Sequence, residues 1–223
     1  MKAIIFDFDG TIVDTEHSEL AAWEHIYSQY NHTLPVHLWK KRVGADPANF
    51  DPLQYLESMI NIASEREMIL AAHQLKLDEL VACLKPLPGV LDWVQTADQL
   101  GIRLCVASAA PRDWVMGHLT RLGLLKHFEY VFTANDVKLL KPNPEVYQLA
   151  LKKLGVASED AIAIEDSPTG ATAALAADLR CVIVPNRTTV DMVFPEGFHK
   201  LNNLQELSLQ QFIDQVILKN LVK

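Results

Sequence analysis

Positive charge is in short supply in this chain of 223 residues: 20 Lys and Arg stand against 28 Asp and Glu, a formal net charge of −8. That deficit argues against nucleic acid or an anionic membrane surface as the main partner, because both need a basic footprint. Cysteine is scarce too. Cys83, Cys105 and Cys181 are scattered with no paired spacing, which excludes a disulfide framework and a structural zinc site and points to a reducing cytoplasm. Apolar runs stay far below the ~18 residues of a membrane span. Near the N-terminus the apolar run is broken by Asp7 and Asp9, so it does not read as a signal peptide. What the chain does hold is 49% apolar residues, enough for a sizeable core in one domain, or one domain with a modest insertion.

The apolar residues fall into a repeating pattern. Lys2–Phe6 is a short branched run ending abruptly at Asp7, as a buried strand does. Similar runs recur at Ile102–Ala107, Tyr130–Thr133, Ala161–Glu165 and Arg180–Pro185. Helical patterns lie between them: Val90–Leu100 before Gly101, Trp114–Leu122 before Gly123, Pro144–Leu154 before Gly155 with Asn143 as N-cap, and Pro168–Ala177 opened by Ser167. Five strands alternating with helices predict an α/β fold, a doubly wound parallel sheet covered on both faces. One block departs from this. Residues 14–84 show no strand pattern, only helix: Leu20, Trp23, Ile26, Tyr27 and Tyr30 at helical spacing, then Leu53–Ile62, then a Ser64/Glu67 capping box ahead of Met68, Ile69, Ala72 and Leu75. The pattern therefore predicts a core of residues 1–13 and 85–223 and a helical insert of 14–84, hinged near Gly10 and the Pro86–Gly89 cluster. The tail, Leu204–Lys223, reads as one amphipathic helix covering the core.

Ligands of open parallel sheets bind beyond the carboxyl ends of the strands. Here those ends carry chemistry: Asp7 and Asp9 after the first strand, Ser108 after the second, Lys141 in a later loop, Glu165 and Asp166 after the fourth. Taken singly, each has a commoner reading: a turn former, a helix cap, a solvated lysine. Taken together on one sheet edge, four carboxylates would repel one another unless a divalent cation lay among them. A hard oxygen-ligand site for magnesium follows, with Lys141 and Ser108 facing an anionic substrate.

The segments Asp-Phe-Asp-Gly-Thr-Ile-Val-Asp-Thr (7–15), Ala-Ser (107–108), Lys-Pro-Asn-Pro-Glu-Val-Tyr (141–147) and Ile-Glu-Asp-Ser (164–167) resemble the four motifs of the haloacid dehalogenase superfamily. They are most similar to its beta-phosphoglucomutase-like and phosphatase branch, in which a Rossmann-like core carries a helical cap after the first strand. Asp178 departs from the Gly that often closes the helix after the fourth motif, and Asp tolerates the left-handed backbone well. The resemblance implies Asp7 as nucleophile and Asp9 as acid and base. It implies magnesium held by Asp7, the Asp9 carbonyl, Asp166 and, directly or through water, Glu165. Ser108, Lys141, Thr11 and backbone groups near Gly10 and Ala109 would hold the phosphoryl oxygens, with Lys141 also restraining Asp7. Arg112 on the core side and Trp23 and Gly44 in the cap are the remaining candidates for substrate contact.

Within that family Asp9 discriminates, because dehalogenases lack a carboxylate at its position. No cap lysine among Lys40, Lys41 and Lys76 is marked for the Schiff base of a phosphonate hydrolase. The sugar phosphate mutases carry a His where this chain has Glu19, and an Arg after the Gly matching Gly44, where this chain runs Ala-Asp-Pro. His17 lies about 200° around the helix from Glu19 and is a poor substitute. The expectation is a magnesium-dependent phosphatase for a small, sugar-like phosphate monoester, acting as a cytoplasmic monomer. A mutase is the alternative. A non-catalytic phosphate-binding module is disfavoured, since a binder needs no nucleophile and acid together.

Overall fold

The structure is a computed structural model that describes residues 1–196 and 199–217, apart from the side chains of Pro47 and Ala63. Strands β1 (Ala3–Phe6), β2 (Arg103–Ala107), β3 (Tyr130–Phe132), β4 (Ala161–Glu165), β5 (Arg180–Ile183) and β6 (His199–Lys200) form a single sheet in the order β3-β2-β1-β4-β5-β6. Every pairing is parallel. The five expected strands are all present. The sixth, a two-residue exposed edge, is too short to leave a pattern in the sequence.

After β1 the chain first forms a helical run, α1 (Thr15–Gln29), α2 (Val36–Trp39), α3 (Pro52–Met59) and α4 (Arg66–Ala82). The sheet is flanked by α5 (Val90–Leu100), α6 (Arg112–Arg121), α7 (Glu145–Leu154), α8 (Pro168–Ala176) and α9 (Leu209–Phe212), which runs on as a wider turn over Ile213–Ile217. Residues 218–223 of the expected tail helix lie outside the described residues. Among the described residues, no helix is long and apolar enough to cross a membrane.

Alternation along the central strands sorts side chains onto two unlike faces. Ile4, Phe6, Leu104, Val106, Ile162 and Ile164 point to one side, where Trp93 and Val94 of α5, Leu119 of α6 and Phe212 of α9 cover them. Burying each of these large side chains stabilises the fold by about 2 kcal/mol relative to exposure. The other face is built from Ala3, Ile5, Cys105, Ala107, Ala161 and Ala163, and its small residues let Tyr147 and Ala150 of α7 and Ala173 and Ala174 of α8 approach closely.

The helices of residues 15–82 have their own apolar cluster, with Trp23, Ile26, Tyr27, Trp39, Leu53 and Leu56 at its centre. Three expectations for this region need correction. Ser64 and Glu67 form no capping box: 63–65 is a 3-10 turn, and Glu65 accepts a hydrogen bond from Tyr30 instead (2.8 Å). In α4 the buried stripe is Ile69, His73, Leu77 and Val81, while Met68 and Leu75 are exposed. The i, i+4 rule holds, but a histidine occupies the second place of the stripe and shifted the apparent phase. Helix α3 also ends at Met59, three residues short of Ile62, because Ile60 turns extended.

The chain enters and leaves this helical unit side by side, the Leu87 N–H donating to the Ile12 carbonyl (2.8 Å). The unit is seated on the core. Lys40 pairs with Asp191, and Gly44 packs against Ser167 so tightly that a Cβ there would lie 2.2 Å from the Ser167 hydroxyl.

Candidate active site

Strand β1 lies at the centre of the sheet, with β2 on one side and β4 on the other, so the chain reverses its winding direction beyond the end of β1. That switch point is where a crevice opens in such sheets. The Asp7 N–H still donates to Ile164 as a ladder bond (2.9 Å), which fixes its side chain at the crevice floor. The chain then turns sharply at Gly10. Its φ of +83° and the 2.3 Å that would separate a Cβ from Asp166 Oδ2 leave room for glycine alone.

Lys141 arrives from the loop before α7 and is buried. Its Nζ donates to Asp7 Oδ1 (2.6 Å), Glu165 Oε1 (2.7 Å) and the Ala107 carbonyl (2.9 Å). An ammonium has three protons, so all are engaged. Burial works against its charge, yet Asp7 and Glu165 outweigh that cost and raise its pKa. Glu165 is fully buried, accepts from the Tyr147 hydroxyl as well, and is pushed up by burial while Lys141 pulls it back. Asp166 receives Asn186 Nδ2 (2.7 Å) and, at 3.5 Å, Thr11 Oγ1. Burial, then the charges of Asp7 and Glu165, hold its pKa well above the usual carboxylate range.

Asp7, Glu165 and Asp166 offer oxygens within 4.8 Å of one another. Three buried carboxylates against one ammonium form an all-oxygen donor set with an excess of negative charge, which fits a hard divalent cation such as magnesium.

The Asp9 side chain stands apart from that cluster. Its Oδ1 accepts from Thr15 Oγ1 (2.6 Å) at the start of α1 and from the Trp114 indole N–H (2.8 Å) on α6. Its Oδ2 looks toward Ser108 Oγ (3.5 Å). Burial pushes the Asp9 pKa up to about 6, against the pull of Thr15 and Trp114.

A pocket of about 280 Å³ opens above Asp7 and Asp9, with Ser108, Ala109, Ala110 and Trp114 on the core side. Its opposite wall comes from the helical unit: Glu16 and Glu19 of α1, Arg42, Gly44 and Ala45 of the following loop, Gln74 and Leu77 of α4. Glu16 accepts from the Gly44 N–H (3.4 Å), and burial followed by the Asp9 charge pushes its pKa up to about 8. Glu19 lies 3.8 Å from Arg42 and 3.8 Å from His73, which stacks on Trp23.

Several sequence candidates do not face this pocket. The Gly10 N–H donates to Val13, and the Thr11 N–H to Phe8, so both bonds close the loop under Asp166 instead of reaching for a phosphate. Arg112 pairs with Asp136 on the exposed end of α6. Trp23 lies behind the wall in the apolar cluster of the helical unit. The reading missed Glu16, Arg42, His73 and Trp114, which carry no motif, and Tyr147 and Asn186. Tyr147 closes the motif of residues 141–147, and Asn186 follows β5 as the other site residues follow their strands.

Residues 4–184 match the family of haloacid dehalogenase-like hydrolases, and the chain belongs to that family. It is 38% identical over 220 residues to YhcW of Bacillus subtilis (strain 168), named as a candidate phosphatase, covering 99% of this chain and all of that one. It is 29% identical over 184 residues to a phosphorylated carbohydrates phosphatase of Thermotoga maritima, covering 80% and 82% of the two chains. Among solved structures, CbbY of Rhodobacter sphaeroides in complex with phosphate superposes with a TM-score of 0.73 at 26% identity, over 93% of this chain and 96% of that one.

Proposed function

We propose that the chain is a magnesium-dependent phosphatase that hydrolyses small, uncharged-alcohol phosphate monoesters, sugar phosphates above all, through a phosphorylated Asp7. The observation that carries this reading is the division of labour between two neighbouring carboxylates. Asp7 is held by Lys141 and belongs to the acidic cluster, whereas Asp9 is held by Thr15 and Trp114 and keeps a pKa of about 6.

Asp7 Oδ1 is engaged by Lys141, so Oδ2 is the oxygen that attacks phosphorus. As that bond forms, the bond from phosphorus to the alcohol oxygen breaks, and Asp9 gives its proton to the departing oxygen. Asp9 then takes a proton from water, which attacks phosphorus and releases phosphate and Asp7. A group that titrates near 6 serves both halves at neutral pH. Asp7, the Asp9 backbone carbonyl and Asp166 would hold the magnesium ion, with Glu165 supporting the set through Lys141. The ion supplies screening between a carboxylate nucleophile and a phosphate dianion.

The helical unit of residues 14–84 acts as a cap that supplies the alcohol-binding wall. Arg42 is the cation of that wall, and Glu19 answers its charge at 3.8 Å with Glu16 close by. Among the described residues lining the pocket, no other positive charge is left to bind a second phosphate, which favours hydrolysis over transfer between positions of a sugar phosphate. Similarity to a carbohydrate phosphatase over 80% of the chain supports the same substrate class.

Turnover of p-nitrophenyl phosphate and of a panel of hexose and hexitol monophosphates, with and without excess chelator, tests this. Phosphate release that stops on chelation and returns with magnesium is expected. Full activity in chelator, or none with any ester, would overturn the reading.

A further inference from the structure

We infer that Trp114 is a positioning residue for the proton transfer, deciding which oxygen of Asp9 carries the proton. The inference rests on the phosphatase reading and deepens it.

A protonated carboxyl group presents one donor and one acceptor oxygen, and only a proton aimed at the leaving oxygen is of use. Asp9 Oδ1 meets two donors, Thr15 Oγ1 at 2.6 Å and Trp114 Nε1 at 2.8 Å. A threonine hydroxyl can rotate and accept. An indole N–H cannot, because it has no lone pair to offer. With the indole in place a proton on Oδ1 would face another proton, so Asp9 carries it on Oδ2. That oxygen looks toward Ser108, on the side where the ester binds.

The indole is fixed in this pose by its surroundings. His118 meets its ring edge-on at 4.4 Å, and Arg121 joins His118 Nδ1 (3.2 Å) to the Leu84 carbonyl (2.8 Å). Trp114 packs against the apolar cluster that Ala22, Leu77 and Val81 of the helical unit form, so its seat is complete only with that unit docked. If Trp114 were only an apolar wall, a phenyl ring would replace it without loss.

The test compares W114F with wild type, using full-length protein with magnesium and two probes of nearly one shape, phenyl phosphate and p-nitrophenyl phosphate. Phenolate is a poor leaving group, with the basicity of a tyrosine side chain at pKa about 10. The nitro group stabilises its phenolate, so departure needs far less help from an acid. The ratio kcat/KM reports the steps through departure of the alcohol. W114F is expected to lower kcat/KM about tenfold for phenyl phosphate and by less than about threefold for p-nitrophenyl phosphate. In a D9N background W114F should cost nothing further, since both changes act through one carboxyl. W114M, with a flexible side chain that fills irregular space, is the second variant if W114F fails to fold. Equal losses with both esters, no loss with either, or an additive loss beside D9N would overturn the inference. Wild type inactive on both esters would instead overturn the phosphatase reading.

Discussion

The two walls of the pocket solve the problem of burying charge in opposite ways. On the core wall every charge has a partner: Lys141 engages three acceptors, and Asp9 is held by two donors. On the wall from the helical unit, partners are looser. Arg42 and Glu19 stand 3.8 Å apart, and behind Glu19 the buried His73 Nε2 has no hydrogen-bond partner among the described residues. Tight pairing fixes atoms to within the tolerance that bond-making needs. Loose pairing leaves polar groups free to meet the hydroxyls of an alcohol. In the proposed mechanism the core wall carries the reaction and the other chooses its substrate, so substitutions on the two should differ in size and kind.

The largest effect belongs to Asp7. D7N would remove the proposed nucleophile, so turnover of every ester should fall by at least about 10⁴-fold, the scale of losing a covalent catalyst. Intact-mass analysis after mixing with p-nitrophenyl phosphate should show a phosphorylated species for wild type and none for D7N. D9N should differ in kind. Losses of about 10²-fold or more are expected with alkyl phosphates, while p-nitrophenyl phosphate should give a burst near one nitrophenolate per enzyme and then a stall, read by rapid mixing. Equal steady rates for D9N and wild type on an alkyl phosphate would break the distinction between the two carboxylates.

Lys141 comes next, and its effect is on stability as well. K141M leaves Asp7 and Glu165 buried without their cation, a change of the kind that costs about 3–5 kcal/mol. Urea denaturation should show that loss, and magnesium should recover part of it by binding the uncompensated acidic cluster. A midpoint within error of wild type would mean the buried triad contributes little to stability.

The other wall should respond more mildly and selectively. E19Q frees Arg42 from its counter-charge, so a substrate with a second anion becomes easier to hold. The ratio of kcat/KM for fructose 1,6-bisphosphate over fructose 6-phosphate is expected to rise about threefold to tenfold, with p-nitrophenyl phosphate little changed. An unchanged ratio would remove Arg42 and Glu19 from substrate selection.

The same contrast explains what the sequence made legible. The core wall lies at strand ends, where an apolar run stops at Asp7, Ala107 or Glu165, so position alone brought Asp7, Ser108 and Glu165 together. The other wall draws on three separate segments around Glu16, Arg42 and Gln74, joined only by how α1 packs along α4. A helix phase error of one residue, as occurred at Ile69–Leu77, hides such a surface altogether. Arg112 misled for a similar reason: the first turn of α6 follows Ser108, but the helix turns Arg112 outward to Asp136 and Trp114 inward to Asp9. Spacing gave the helix, and only packing told its two faces apart.

His73 allows the smallest test of the comparison. It lies in the buried stripe of α4 against Trp23, and burial followed by the charge of Arg42 pushes its pKa down to about 4. In the unfolded chain a histidine titrates near 6.5. Between those values the unfolded chain takes up a proton that the folded one refuses. The stability due to neutral His73 is therefore complete above about pH 6.5 and is lost as pH falls toward 4. Partial screening of a group that is not wholly enclosed leaves about 1 kcal/mol between pH 7 and pH 5. H73Q keeps a polar side chain of similar reach but does not titrate. Carboxylates elsewhere contribute equally to both proteins, so the quantity to measure is the difference between their urea midpoints at each pH. Wild type should lose ground against H73Q as the pH is lowered from 7 to 5. Parallel pH profiles would show that His73 takes its proton as readily folded as unfolded, and the space between Glu19 and Trp23 behind the looser wall would then be wet, with its charges screened instead of buried.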